Sequence, residues 1–362
     1  MRAAEDTPAI DPVTEAISFH PAIIFKRSLI LKRLLLCTRK LTHWDGMDRY
    51  IAVDIGGTQI RAACCDSHGN ILQRLSEWTP AHQDAESIMN CLTRTVQAVW
   101  PSDDPIIAMG VAVPGPLDPW EGVILHSPNI PDWDHFQLRA ALQERFNVPV
   151  TIQDDANAAA LAEHRFGAGR GKSHLVYLTI GTGVGNGIII NNELLLGGHG
   201  LAAEAGHMII KEDAPIQCGC GNRGCLESLI SGPSLAVQAQ TRILSGEYSS
   251  LPELCGDNLE MISAQLINEA AQRGDPLAID IFHQAGIYLG IAIVNLLYLF
   301  NPDIIIIGGS VSKAGELLLV PARGVVQQRC MPFYWQDTPI LTAALDDDVG
   351  LLGAFCLVCH PS

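Results

Sequence analysis

Apolar and polar positions along the chain follow a pattern that is written twice. Tyr50–Asp54 and Arg61–Asp66 are short β-rich runs joined across Gly56-Gly57, and Ile71–Thr79 continues the hairpin after the turn Ser67-His68-Gly69-Asn70. Ala85–Trp100 has helical spacing, and Ile106–Val113 reads as a buried strand stopped by Pro114-Gly115-Pro116. Phe136–Phe146 is helical, Val148–Gln153 is a strand and Ala156–Phe166 is an alanine-rich helix. The second half opens the same way, with strand Leu175–Ile180, glycine turn Gly181–Gly187 and strand Ile188–Asn191. A long apolar helix, Pro276–Phe300, and a β-branched strand, Ile304–Ile307, follow, the strand ending at Gly308-Gly309-Ser310. Hairpins mixed with βα units, occurring twice, predict two related α/β domains facing a cleft.

Composition removes several classes. A chain of 362 residues with 48% hydrophobic and 17% charged side chains is not wholesale disordered. Its net charge of −16 argues against a nucleic-acid partner, which needs a basic surface. Eleven cysteines, an odd number in a long chain, suit a cytoplasmic protein with free thiols and one metal site better than a disulfide scaffold. Residues 1–46 stand apart: they hold seven basic against five acidic side chains, leaving −18 on the rest. Lys26-Arg27 and Lys32-Arg33 break every apolar run there, so no membrane span is expected. The segment reads as a disordered extension or part of an over-long gene model, with an interfacial helix as the alternative.

Two glycine turns carry candidate chemistry. Asp54-Ile-Gly56-Gly57-Thr58 leaves one strand and enters another, so it is neither a Walker loop nor a dinucleotide fingerprint. Backbone N–H groups of such a turn, with the Thr58 hydroxyl, can hold phosphate oxygens, and Asp54 could face an accompanying Mg²⁺. Gly181-Thr182-Gly183 repeats the logic about 120 residues on, so that two hairpins could clamp an ATP tail. An ordinary glycine hairpin is the competing reading, and the pairing weakens it. Cys218, Cys220 and Cys225, spaced by glycines, can turn round one tetrahedral ion, Zn²⁺ being the natural candidate with a histidine as fourth ligand. Asp154-Asp155 closes a strand and opens a helix, where a carboxylate is most often an N-cap.

These motifs, with Val113-Pro-Gly-Pro116, Ser127-Pro-Asn129, Glu204-Ala-Gly-His207 and Gly350-Leu-Leu-Gly-Ala354, occur in an order that resembles the ROK family of bacterial sugar kinases, over about Tyr50 to Phe355. The resemblance implies a two-domain α/β fold of the actin-like ATPase (ribonuclease H-like) type with a cleft between the domains. It places residues 47–157 with 347–362 in a small domain and 158–346 in a large one. It implies an ATP- and Mg²⁺-dependent kinase acting on the 6-hydroxyl of a hexose, glucose first. Asp155 would be the base. Asn129, Asp154, Glu204, His207 and Glu227 would bind the sugar. Asp54, Gly56, Gly57, Thr58, Gly181, Thr182, Gly183, Gly308 and Gly309 would bind the nucleotide. His207 would complete a Cys₃His structural zinc site with Cys218, Cys220 and Cys225, and a homodimer or homotetramer is expected. Departures are Gln59, where the family usually has Lys, Asp154 for Asn, and Asn186 for Gly, the last read as an asparagine tolerating left-handed backbone. The alternatives are kinases of N-acetylglucosamine, N-acetylmannosamine, fructose or mannose, and, in another class, a sugar-responsive ROK transcriptional regulator.

Overall fold

The computed structural model describes residues 48–81, 83–127 and 133–359. The expected extension, residues 1–46, and the Asn129 loop lie outside the described residues. The first sheet begins with β1 (Arg49–Ile55), β2 (Gln59–Asp66) and β3 (Ile71–Trp78), an antiparallel run. Helix α1 (Ala85–Ala98), capped by Asp84, leads to β4 (Ile106–Val113), which lies parallel to β1. β1 and β4 are near-continuous apolar runs because both of their faces are covered. A small hairpin, β5 (Leu117–Asp118) and β6 (Val123–Ile124), precedes α2 (Leu138–Phe146) and β7 (Val150–Asp154). The sheet order is β3-β2-β1-β4-β7.

Helix α3 (Asp155–Arg165) follows β7 without a loop, and its alanines let it pack closely on its neighbours. The second sheet is built from β8 (Leu175–Ile180), β9 (Val184–Ile190) and β10 (Glu193–Leu194). Helices α4 (Leu226–Ile230), α5 (Gly232–Leu244), α6 (Leu251–Leu254), α7 (Ala264–Gln272) and α8 (Pro276–Phe300) come next. They are followed by β11 (Ile304–Gly308), α9 (Glu316–Arg329) and β12 (Ile340–Thr342). The order β10-β9-β8-β11-β12 repeats the first sheet strand for strand, antiparallel pairs and parallel pairs included. Helix α8 is long and apolar enough to cross a membrane, but most of that stretch is buried in the core beneath this sheet.

The second glycine turn is shorter than the periodicity predicts. β9 starts at Val184, so the turn is Gly181–Gly183, and Gly185 and Gly187 belong to the strand. They are glycine because the strand presses on α3: a methyl at Gly187 would lie 2.5 Å from the Ala160 Cβ and 2.8 Å from the Ala156 carbonyl. The chain ends with α10 (Val349–Cys356), which packs on β1, β4 and α3 through small residues, Gly353 lying against the Ala158 backbone.

Candidate active site

The end of β7 and the start of α3 set two carboxylates side by side. Asp154 is the N-cap: its Oδ1 accepts from the N–H groups of Ala156 at 3.0 Å and Asn157 at 3.4 Å. Its Oδ2 accepts from Gly115 N–H at 3.1 Å, drawing the Pro114-Gly115-Pro116 turn onto the helix start, where Gly115 has no room for a Cβ. Burial raises its pKa against these bonds. Asp155, in the first helical turn, is open to solvent on one side with protein on the others. Burial, and then the charges of Asp154, Asp54 and Glu204, push its pKa up to about 8. Three carboxylates are thus within electrostatic reach of Asp155.

Asp54, one residue before the end of β1, stands opposite Arg61 in the β1–β2 register. Arg61 Nε donates to Asp54 Oδ2 at 2.9 Å, Nη2 donates to the same oxygen, and Nη1 donates to the Asp347 carbonyl at 2.6 Å. Burial raises the Asp54 pKa while Arg61 opposes it. Gly350 abuts this carboxylate so closely that a methyl there would fall on it. The turn itself is pinned by Gly56 N–H to the Gln59 carbonyl at 2.8 Å and by the Thr79 hydroxyl to the Gly56 carbonyl at 2.7 Å, with Thr58 exposed. Gln59 accepts from the Ser76 hydroxyl at 3.2 Å and brings no charge.

Across the site, Glu204 opens a single 3₁₀ turn, Ala205–His207, in which Gly206 packs on the Val184 carbonyl. Burial raises the Glu204 pKa, with Asp154 and Glu227 adding to it and His207 opposing. Glu227 braces the second hairpin: its Oε2 accepts from Val184 N–H at 3.0 Å, and a methyl at Gly183 would lie 2.6 Å from that oxygen. Its Oε1 accepts from the Cys218 thiol at 3.4 Å, which ties the hairpin to the cysteine cluster. The ligand atoms of His207, Cys218, Cys220 and Cys225 all lie within 4.8 Å of one another. The Cys220–Cys225 Sγ separation is 3.6 Å, and Cys218 Sγ to His207 Nδ1 is also 3.6 Å. Metal–sulfur bonds of about 2.3 Å at tetrahedral angles give edges of roughly 3.7 Å, so the four donors fit one tetrahedral ion. A disulfide would need the sulfurs at about 2.05 Å.

Beside the second hairpin opens a cavity of about 590 Å³ lined by Gly181, Thr182, Gly232, Gln265, Asn268 and Ser310 among others. Gly308 and Gly309 do not line it: Gly308 faces the Tyr177 ring, and Gly309, at φ +86°, faces the Ile180 backbone. Gln265 and Asn268 were not legible in the sequence, because α7 carries no motif; the Asn268 Oδ1 is buried there without a hydrogen-bond partner. Asn186 corrects an expectation. It is a buried strand residue of β9 rather than a left-handed turn residue, and its Nδ2 donates to the Tyr177 carbonyl. The turn had already ended three residues earlier. Asp54, Asp154, Asp155, Glu204, His207, Glu227, Gly183 and the three cysteines are linked by these contacts and fields. Thr58, in contrast, is exposed, Gly308 and Gly309 stand outside the cavity lining, and Asn129 is outside the described residues.

The ROK family model matches residues 50–360. A glucokinase of Thermotoga maritima is 35% identical over 86% of this chain and 97% of its own length. A ROK family glucokinase of Streptomyces griseus, solved in complex with glucose and AMPPNP, is 37% identical, with a TM-score of 0.73 over 84% of this chain and 97% of that one. A xylose repressor of Caldicellulosiruptor bescii is 31% identical over 85% of this chain and 77% of the repressor.

Proposed function

This chain belongs to the ROK family, and from that premise we propose that it is an ATP-dependent hexose kinase that phosphorylates glucose at the 6-hydroxyl. The observation that carries this reading is Asp155 at the head of α3, open to solvent and flanked by Asp154, Asp54 and Glu204. Asp155 accepts the proton of the 6-hydroxyl as that oxygen bonds to the γ-phosphorus and the bond to ADP breaks. The raised pKa suits a base that must pick up a proton and release it to water. Asp154 holds the helix start and the Pro114-Gly115-Pro116 turn in register with it. Glu204, His207 and Glu227 accept and donate to sugar hydroxyls on the other side. The relative solved with glucose and AMPPNP supports this choice of sugar and nucleotide.

The two glycine hairpins receive the phosphate chain, and the cavity beside Thr182 and Ser310 takes the adenosine. Mg²⁺, when bound, neutralises the phosphate oxygens; Asp54 Oδ1, which Arg61 leaves clear, is the oxygen that would hold it. A structural Zn²⁺ in the Cys₃His set would fix Nδ1 of His207 and leave Nε2 for the sugar. Residues 47–157 with 347–362, and residues 158–346, are the two lobes that close on the substrates in the cytoplasm.

ADP release over a panel of hexoses and N-acetylhexosamines tests the reading. Glucose should give the fastest sugar-dependent release, and elemental analysis should find one zinc per chain. Specific promoter binding without sugar-dependent ADP release would instead favour a regulator, the class of the xylose repressor relative.

A further inference from the structure

Arg61 lies outside the sugar and nucleotide sets, yet three of its donors are spent at the phosphate end. Nε and Nη2 both engage Oδ2 of Asp54, and Nη1 engages the Asp347 carbonyl. The planar guanidinium is therefore fixed at two points, an arrangement that a lysine ammonium cannot reproduce. Because both donors to Asp54 fall on one oxygen, Oδ1 stays on the far side of the carboxylate from Arg61.

The second anchor is itself held. Asp347 sits in the segment that links β12 to α10, and the N–H groups of Ala344 and Leu345 in that segment donate to Glu163 Oε1 at 2.8 and 2.9 Å. Glu163 is fully buried on α3, two turns beyond Asp155, and its Oε2 accepts from Ala168 N–H at 2.8 Å. Asp348 in the same segment pairs with Arg74 of β3, 2.5 Å away. Arg61 thus ties the Asp54 carboxylate to a segment that is gripped by the helix bearing the base. Gln59, two residues earlier on the same strand face, is neutral.

We infer that Arg61 is a positioning residue for phosphoryl transfer: it holds Asp54 so that Oδ1 meets the phosphate-bound cation, and it supplies the positive charge that Gln59 does not. The inference rests on the kinase reading above. Without Arg61 the buried Asp54 carboxylate would have no partner and would be free to turn Oδ1 away. The effect should appear at the nucleotide and not at the sugar.

The test compares full-length wild type, Arg61→Gln and Arg61→Lys by calorimetry with AMPPNP and Mg²⁺, by steady-state kinetics in both substrates and by Tm. Arg61→Gln should raise the Kd for MgAMPPNP and the KM for MgATP by about tenfold or more, the size expected for losing a charged hydrogen bond. The KM for glucose should stay within about twofold. Arg61→Lys should recover only part of the loss. If Arg61→Gln binds MgAMPPNP as wild type does, or if both KM values rise together with a fall in Tm, the inference is overturned. Should Arg61→Gln fail to fold, a folded Arg61→Lys with wild-type MgAMPPNP affinity overturns it equally. Wild type that binds no MgAMPPNP and phosphorylates no hexose overturns the kinase reading, and this inference with it.

Discussion

The two five-stranded sheets share one topology, but their leading hairpins are furnished differently. In the first, the register pair one step back from the turn is Asp54 opposite Arg61; in the second, the corresponding pair is Thr179 opposite Gly185. The first hairpin holds a half-buried ion pair whose carboxylate is closed over by Gly350. The second has no charge in its strands and takes its carboxylate, Glu227, from α4, where it also touches the cysteine cluster. The repeated backbone supplies two similar glycine turns, and the elements packed behind each decide its chemistry. On the reading proposed above, the first side holds the cation and Asp155 of the Asp154-Asp155 step takes the proton. On the same reading, the second side cradles phosphate with its own turn and adds Glu227 for the sugar and the neighbouring cavity for adenosine.

That division can be broken experimentally. The largest expected effect is Asp155→Asn, which should cut turnover by about 10²–10⁴-fold while glucose binding, measured by calorimetry, is retained. Near-normal turnover would remove Asp155 as the base. Next comes the cysteine cluster: Cys220→Ser, or zinc removal by chelation, should lower Tm by at least about 5 °C and raise the glucose KM more than the MgATP KM. If Tm and zinc content are both unchanged, the cluster is not a metal site.

Two glycine substitutions sharpen the comparison directly. Gly350→Ala pushes on Asp54 and Gly183→Ala pushes on Glu227, each an overpacking of about 1–3 kcal/mol. The first should raise the MgATP KM alone and the second the glucose and MgATP KM together, each roughly tenfold. Identical effects of the two variants on both parameters would erase the distinction between the two sides.

The smallest effects are in pH. Asp155 must be ionised to act, so kcat/KM should climb with pH through the range in which its raised pKa, about 8, is crossed. Asp154→Asn removes a neighbouring negative charge, lowers that pKa and should move the acid limb down by up to about one unit. Stability runs the other way. Between an ordinary carboxylate pKa and about 8 the native state binds a proton that the unfolded chain has lost, so the empty enzyme should lose stability as pH rises. Urea titrations at several pH values should show that slope flattened in Asp155→Asn.

Much of this was legible before any fold was known. The strand, turn and helix grammar places β1, β2, β4, β8 and α8 within a residue or two, because apolar periodicity is a local property of the chain. The cysteine spacing predicts three of the four donors for the same reason, because they sit within one tight loop; His207 comes from the family resemblance. The second turn was read too long, since glycines that face a packed helix and glycines that make a turn are the same letter. Arg61 and Asp347 are 286 residues apart, and no periodicity announces their bond. Glu163 carries no signal in the sequence, although it is fully buried on three backbone N–H groups.

By itself the sequence determined the repeated α/β elements, the two glycine hairpins, the Cys218-Cys220-Cys225 loop and the Asp154-Asp155 step. Each is encoded by neighbours along the chain, where backbone freedom and side-chain spacing act directly. Only the tertiary structure decided which carboxylates feel one another, which oxygen of Asp54 is taken by Arg61, and that Glu227 serves the hairpin and the cysteine cluster together. Those facts are set by electrostatics and packing across distant segments, which take effect only when the fold excludes water and brings the segments into contact.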